Sequence, residues 1–143
     1  MEQIQKYLKS IITTSISIML AALLFWLFFL NHVNINEVGI AYDSRNGNIT
    51  YQTNAGWYYT SPFVKVVNLS TAPIKVYGPE SKTVINQKIV KLKVEGLEDL
   101  IHREGVSYNL SGCQWGWMAS YAFSGKKYPF LEIVQEVATD NYK

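Results

Sequence analysis

Between Ile11 and Leu30 the chain runs for twenty residues without a charged side chain. At a rise of about 1.5 Å per residue, a helix of that length crosses the roughly 30 Å hydrocarbon layer of a bilayer. Thr13, Thr14, Ser15 and Ser17 are its polar members, and their hydroxyls can bond back to helix carbonyls. Trp26 falls where an interfacial aromatic belongs. A cleaved signal peptide would carry a shorter apolar region, about 7 to 15 residues, ending in a small-x-small site. Here the run is longer and closes on bulky Phe28, Phe29 and Leu30. The expectation is an uncleaved, single-pass anchor over residues 11–31, preceded by a short flank, residues 1–10. Lys6 and Lys9 precede the span, and no Lys or Arg lies between Asn31 and Asp43. The positive-inside rule therefore puts the N-terminus in the cytoplasm and residues 32–143 across the membrane, in the periplasm if the source is bacterial.

Composition narrows what those later residues do. Apolar residues make up 48% and aromatics 14%, enough apolar surface to offset chain entropy and exclude disorder. With 13 Lys+Arg against 11 Asp+Glu there is no basic excess to neutralise phosphates, which excludes an electrostatic nucleic-acid binder. Cys113 is the single cysteine, so neither an internal disulfide nor a thiolate zinc site is available, and His32 and His102 are too few for a histidine metal site. No cofactor, metal or small-molecule substrate is expected.

Residues 32–143 read as one small α+β domain. A short polar stretch, His32 to Asn36, leads to strands Val38–Asp43 and Ile49–Gln52 around Asn46-Gly47, a pair suited to a tight hairpin. Trp57-Tyr58-Tyr59 runs extended toward Pro62, and Val64–Leu69 and Ile74–Tyr77 are further strands. In Ile89–Val94 the alternation puts Val90, Leu92 and Val94 on one face and Lys91 and Lys93 on the other. Leu97, Leu100 and Ile101 sit at helical spacing before Gly105, a suitable C-terminal stop. A second helix is expected over Leu131–Thr139, where Leu131, Val134, Gln135 and Ala138 share a stripe after Pro129. One or two short helices thus accompany a strand-rich domain.

Candidate contact residues are aromatic. Trp57, Tyr58 and Tyr59 suit a membrane surface, with alternation turning part of the group inward. Trp115, Trp117, Tyr121 and Phe123 alternate along their segment and read either as a core strand or as a partner-binding patch, with the core favoured. Cys113 with His102 as base would make a nucleophile, but no third group or nucleophile motif accompanies them, and a lone cysteine is commonly a small core residue. Glu98-Asp99 are adjacent, so on a helix they diverge rather than converge on one substrate atom. Lys126-Lys127 falls short of a lipid-binding cluster, which holds about 4 to 8 bases.

The segment from Val33 to Val76, with the apolar span before it, resembles the opening of an SPFH domain, the family of stomatins, prohibitins, flotillins and the bacterial HflK and HflC subunits. Val33-Asn-Ile-Asn-Glu-Val-Gly-Ile40 is similar to the family's first strand, and a hairpin with Gly47 follows. Ala55-Gly-Trp-Tyr-Tyr-Thr-Ser-Pro-Phe63 then resembles its Gly…Pro-Phe turn. In that motif Gly56 permits the turn, Pro62 ends the strand and Phe63 anchors the sheet. After Val76 the pattern departs, and the family's long coiled coil is missing, as in a short, divergent member that a phage or other compact genome would encode.

The resemblance implies a non-catalytic membrane-proximal scaffold that self-assembles or organises a membrane complex such as a membrane protease. Its partners would be bilayer lipids, further copies or another membrane protein. Two alternatives stand beside it. One is a phage-type accessory or inhibitor protein that binds a host envelope complex without forming a ring, and the other is an enzyme dependent on Cys113.

Overall fold

The computed structural model describes residues 2–78 and 84–140; Met1 of the expected flank and residues 79–83 and 141–143 of the expected domain lie outside them. The apolar segment forms one helix, α1 (Glu2–Phe29), long and apolar enough to cross a membrane and exposed along its apolar length. The hydroxyls of Thr13, Thr14 and Ser17 donate to the carbonyls of Lys9, Ser10 and Thr13, each at 2.9 Å, so their polarity is absorbed within the helix.

The helix stops at Phe29, short of the expected boundary. Leu30 and Asn31 already belong to β1 (Leu30–Val33), which pairs antiparallel with β4 (Gly56–Tyr59) through Leu30↔Tyr59 and Val33↔Gly56. The stretch expected to be a polar connector from His32 therefore begins inside a strand. A second sheet has the order β3-β2-β5, from β2 (Glu37–Asp43), β3 (Ile49–Gln52) and β5 (Val64–Ser70). Asn46-Gly47 makes its hairpin as expected, with Gly47 at φ +74° and its N–H on the Asp43 carbonyl at 2.9 Å.

The third sheet has the order β6-β7-β8, from β6 (Ile74–Tyr77), β7 (Val84–Leu92) and β8 (Leu131–Asp140). β8 occupies the segment expected to be a helix. Its register to β7 slips between Ile89↔Gln135 and Val90↔Ile133, leaving Val134 as an extra residue. That bulge breaks the period of two, so the apolar residues fall at a spacing that mimics a helical stripe. Cross-strand partners fix the strand instead, among them Lys88 and Glu136, paired at 2.8 Å. β7 ends at Leu92. Val94 leaves its expected face for a short 3-10 turn, Val94–Gly96, and is exposed.

Helix α2 (Leu97–Glu104) forms as the spacing predicts and ends at Gly105. The aromatic segment after it is helical, in α3 (Tyr108–Gly112) and α4 (Gln114–Ala122), so the alternation from Trp115 to Phe123 does not mark a strand. The α+β class holds, with three short α-helices among the described residues of the domain rather than one or two.

Val38 and Ile40 of β2, Val67 and Leu69 of β5, and Val76, Val90 and Leu92 of the third sheet share one core with Leu97, Leu100, Leu110, Met118 and Phe130. Each such side chain contributes about 1.5–3 kcal/mol on full burial. β2 is buried on its other face as well, at Gly39 and Ala41. A Cβ at Gly39 would lie 2.7 Å from Gln52 Oε1 and 3.1 Å from Val33 Cγ2, so the β1–β4 ribbon packs on a strand that has no side chain there. The central sheet is thus enclosed between the helical core and the ribbon that continues α1.

Candidate functional site

A two-stranded ribbon is marginal in water by itself. β1–β4 is held from both sides, at the junction of α1 with the domain.

On one side the ribbon meets the helix. Trp57 and Tyr59 alternate onto a single face of β4. The Trp57 ring lies 6.3 Å from Trp26 and 4.7 Å from His32, centroid to centroid. Tyr59 stacks on Phe29 at 5.8 Å and tilts against Phe25 at 6.4 Å, while Phe25 and Phe29 stack on each other at 5.1 Å. Beneath the rings the Thr60 N–H donates to the Phe29 carbonyl at 2.7 Å, satisfying one of the acceptors that a helix end leaves open. Even so, Trp57 is 59% and Tyr59 69% exposed, so most of each ring faces outward. Tyr58 points the other way, its hydroxyl donating to the Asn54 carbonyl at 2.7 Å and closing the turn before β4. Gly56 enters the strand at φ +144°, a conformation that favours glycine.

The other side is a seam of amides. Asn31 Nδ2 donates to Gln52 Oε1 at 2.8 Å, and Asn68 Nδ2 donates to the His32 carbonyl at 2.9 Å. Both tie the ribbon to the central sheet, and Gln52 is itself buried. Asn68 Oδ1 is buried there without a hydrogen-bond partner among the described residues.

Beside the junction, Pro62 and Phe63 form the turn from β4 to β5. Phe63 is 56% exposed and does not anchor the sheet as the motif implies. Its ring lies under the Arg45 guanidinium at 5.1 Å, and its carbonyl accepts from the Ser44 N–H and hydroxyl at 3.2 and 2.9 Å. Arg45 also grips Asp43 through Nε and Nη2, and this holds the Asp43 carboxyl below the usual carboxylate range.

The second aromatic group divides. Trp117 and Tyr121 pack against the core, with the Trp117 indole donating to the Leu110 carbonyl at 2.8 Å and both rings edge-on to Phe130. Trp115 projects from α4, 67% exposed. The Tyr121 hydroxyl donates to Glu104, and that bond pushes its pKa up to about 12. Sequence reasoning missed Gln114, whose buried side chain accepts from the Ser70 N–H at 2.9 Å and donates to the Ser70 carbonyl at 2.6 Å. It closes the free edge of β5 as a strand would. No local pattern marks such a residue.

Cys113 is exposed at the joint between α3 and α4, and His102 lies on α2 with Glu98 at 3.9 Å. Among the described residues no group of three or more His, Cys, Asp or Glu side chains converges as metal ligands would. No protein-family model matches the chain, and no curated protein matches it.

Proposed function

We propose that this is a single-pass membrane protein in which α1 spans the bilayer and the α+β domain is a non-catalytic scaffold held against the bilayer surface. The observation that supports this reading is the junction. With no residue between Phe29 and β1, and with the ribbon gripped by rings on one side and amides on the other, the domain inherits its attitude from the helix. Two copies in one bilayer then meet in few orientations, so association costs less rotational freedom than it would on a flexible tether. Exposed Trp57 and Tyr59 beside the end of α1 suit head-group depth, where amphipathic rings are favoured. The charge bias at Lys6 and Lys9 supports a cytoplasmic N-terminus and a domain on the far side.

The resemblance of Val33 to Val76 to an SPFH domain supports the specific form of the proposal, in which copies self-assemble or organise a membrane complex such as a membrane protease. The test is the mass of the full-length protein in mild detergent, by light scattering with the detergent contribution subtracted. A uniform homo-oligomer is the expected result, and a monomer overturns self-assembly.

The outward Trp115 favours a second reading, an accessory protein that binds a different envelope protein without forming a ring. A photo-crosslinker at position 115 in intact membranes separates the two, since scaffold assembly yields self-adducts and the accessory reading yields a heterologous one. Cys113→Ala leaves function unchanged under both.

A further inference from the structure

The turn that carries Phe63 is positioned by the same hydrogen bond that ends the helix. Thr60 is fixed to the Phe29 carbonyl at 2.7 Å, and three residues of chain reach no further than about 11 Å. The Val64 N–H closes back on the Ser61 carbonyl at 2.9 Å, so the turn is tighter than that limit. The head-group layer of a bilayer is about 5–8 Å deep on each side, judged from total and hydrocarbon thickness. If Phe29 is the end of a membrane span, Phe63 stays within about 11 Å of that end, a reach comparable with the depth of the layer.

The surroundings of Phe63 are those of a foot that rests on lipid. Its ring is more exposed than buried, and Pro62 beside it is exposed too. The tip of the β2–β3 hairpin is tied to it twice through Ser44, so the turn is braced rather than free. Arg45 lies over the ring, but its charge is already answered by Asp43 at 2.9 Å. The patch therefore presents an apolar ring beside a compensated ion pair, which has little to gain from an anionic head group.

We infer that Phe63, braced by Ser44 and Arg45, is a second membrane contact lateral to α1, taking the lipid head-group and acyl boundary as its partner and fixing the tilt of the domain on the bilayer. This rests on the membrane reading of α1 given above. It calls for zwitterionic lipid no less than anionic lipid.

The test uses the full chain with Cys113→Ser, reconstituted in phosphatidylcholine vesicles and in vesicles mixed with phosphatidylglycerol. Phe63→Cys and, separately, Leu20→Cys carry an environment-sensitive fluorophore, and unchanged circular dichroism confirms the fold of each. The expected result is that both labels are quenched by nitroxide on the lipid chains, that aqueous iodide loses its effect at position 63, and that the two lipid compositions agree. A label quenched by lipid at 20 but by iodide at 63 overturns the second contact and leaves the anchor standing. Iodide quenching at 20 removes the membrane reading itself. A label at 63 shielded from both quenchers means that protein covers Phe63, and quenching by lipid only with phosphatidylglycerol means that Arg45 binds an anion; either overturns the proposal.

Discussion

Phe29 and Thr60 share a hydrogen bond of 2.7 Å, and through it the last residue of α1 is joined to the residue after β4. Thirty residues of sequence separate two ends of a contact that fixes how the domain leaves the helix. The rings above this bond and the amides behind it each make a separate contribution that substitution can measure.

Trp26 and Trp57 are expected to be energetically coupled. Aromatic pairs at such separations are worth about 0.5–1.5 kcal/mol beyond the area they bury. A double-mutant cycle of Trp26→Ala and Trp57→Ala, read by denaturation of the domain in detergent, should return a coupling in that range. A coupling of zero would mean that the two rings do not meet.

Gly39→Ala should destabilise the domain by about 1–3 kcal/mol, the usual cost of overpacking a closed site. The new methyl meets Gln52 Oε1 and Val33, both part of the packing between ribbon and sheet. Gly39→Ala should cost less in a Gln52→Ala background than in the native one, because the closest atom is gone there, although Gln52→Ala alone loses the Asn31 hydrogen bond. Denaturant midpoints of the single and double variants check this.

Much of this architecture is readable in the residues. Asn46-Gly47 names its own hairpin, and Leu97, Leu100 and Ile101 before Gly105 name α2. What escapes reading is set by distant partners. Leu30 to Val33 reads as the end of the apolar span running into a polar connector, and becomes a strand because β4 lies alongside it. Leu131–Asp140 hides its strand period behind the bulge at Val134, while α3 and α4 form from a Gly-, Ser- and aromatic-rich stretch whose weak helical propensity is overridden by packing on the core. At the candidate site, Trp57 and Tyr59 are visible as aromatics, but nothing local indicates that Asn31, Gln52 and Asn68 latch the ribbon, or that Phe63 faces outward.

Gln114→Ala should cost about 1–3 kcal/mol, because both the N–H and the carbonyl of Ser70 lose their partner at a partly buried strand edge. Gln114→Glu should restore the acceptor for the Ser70 N–H but place a charge near the Ser70 carbonyl, so it recovers little. Thermal denaturation of the two variants decides the point.

The Tyr121–Glu104 bond carries a pH signature. Its pKa is raised in the folded state from 10.0 to about 12, so the folded chain holds this proton more tightly than the unfolded one. The stabilisation is fully present below pH 10 and is lost as pH rises toward about 12. Measured against Tyr121→Phe, the stability difference should be constant through neutral pH and shrink across that window. A difference that grows with alkalinity would contradict the assignment.

The central claim is that helix and domain form one rigid unit at the junction, and amide hydrogen exchange of the full-length protein in lipid nanodiscs tests it most directly. The account predicts that the Thr60 amide, with those of β1 and β4, exchanges as slowly as the amides of β2. Exchange of Thr60 at the rate of an open loop, while β2 stays protected, would contradict it.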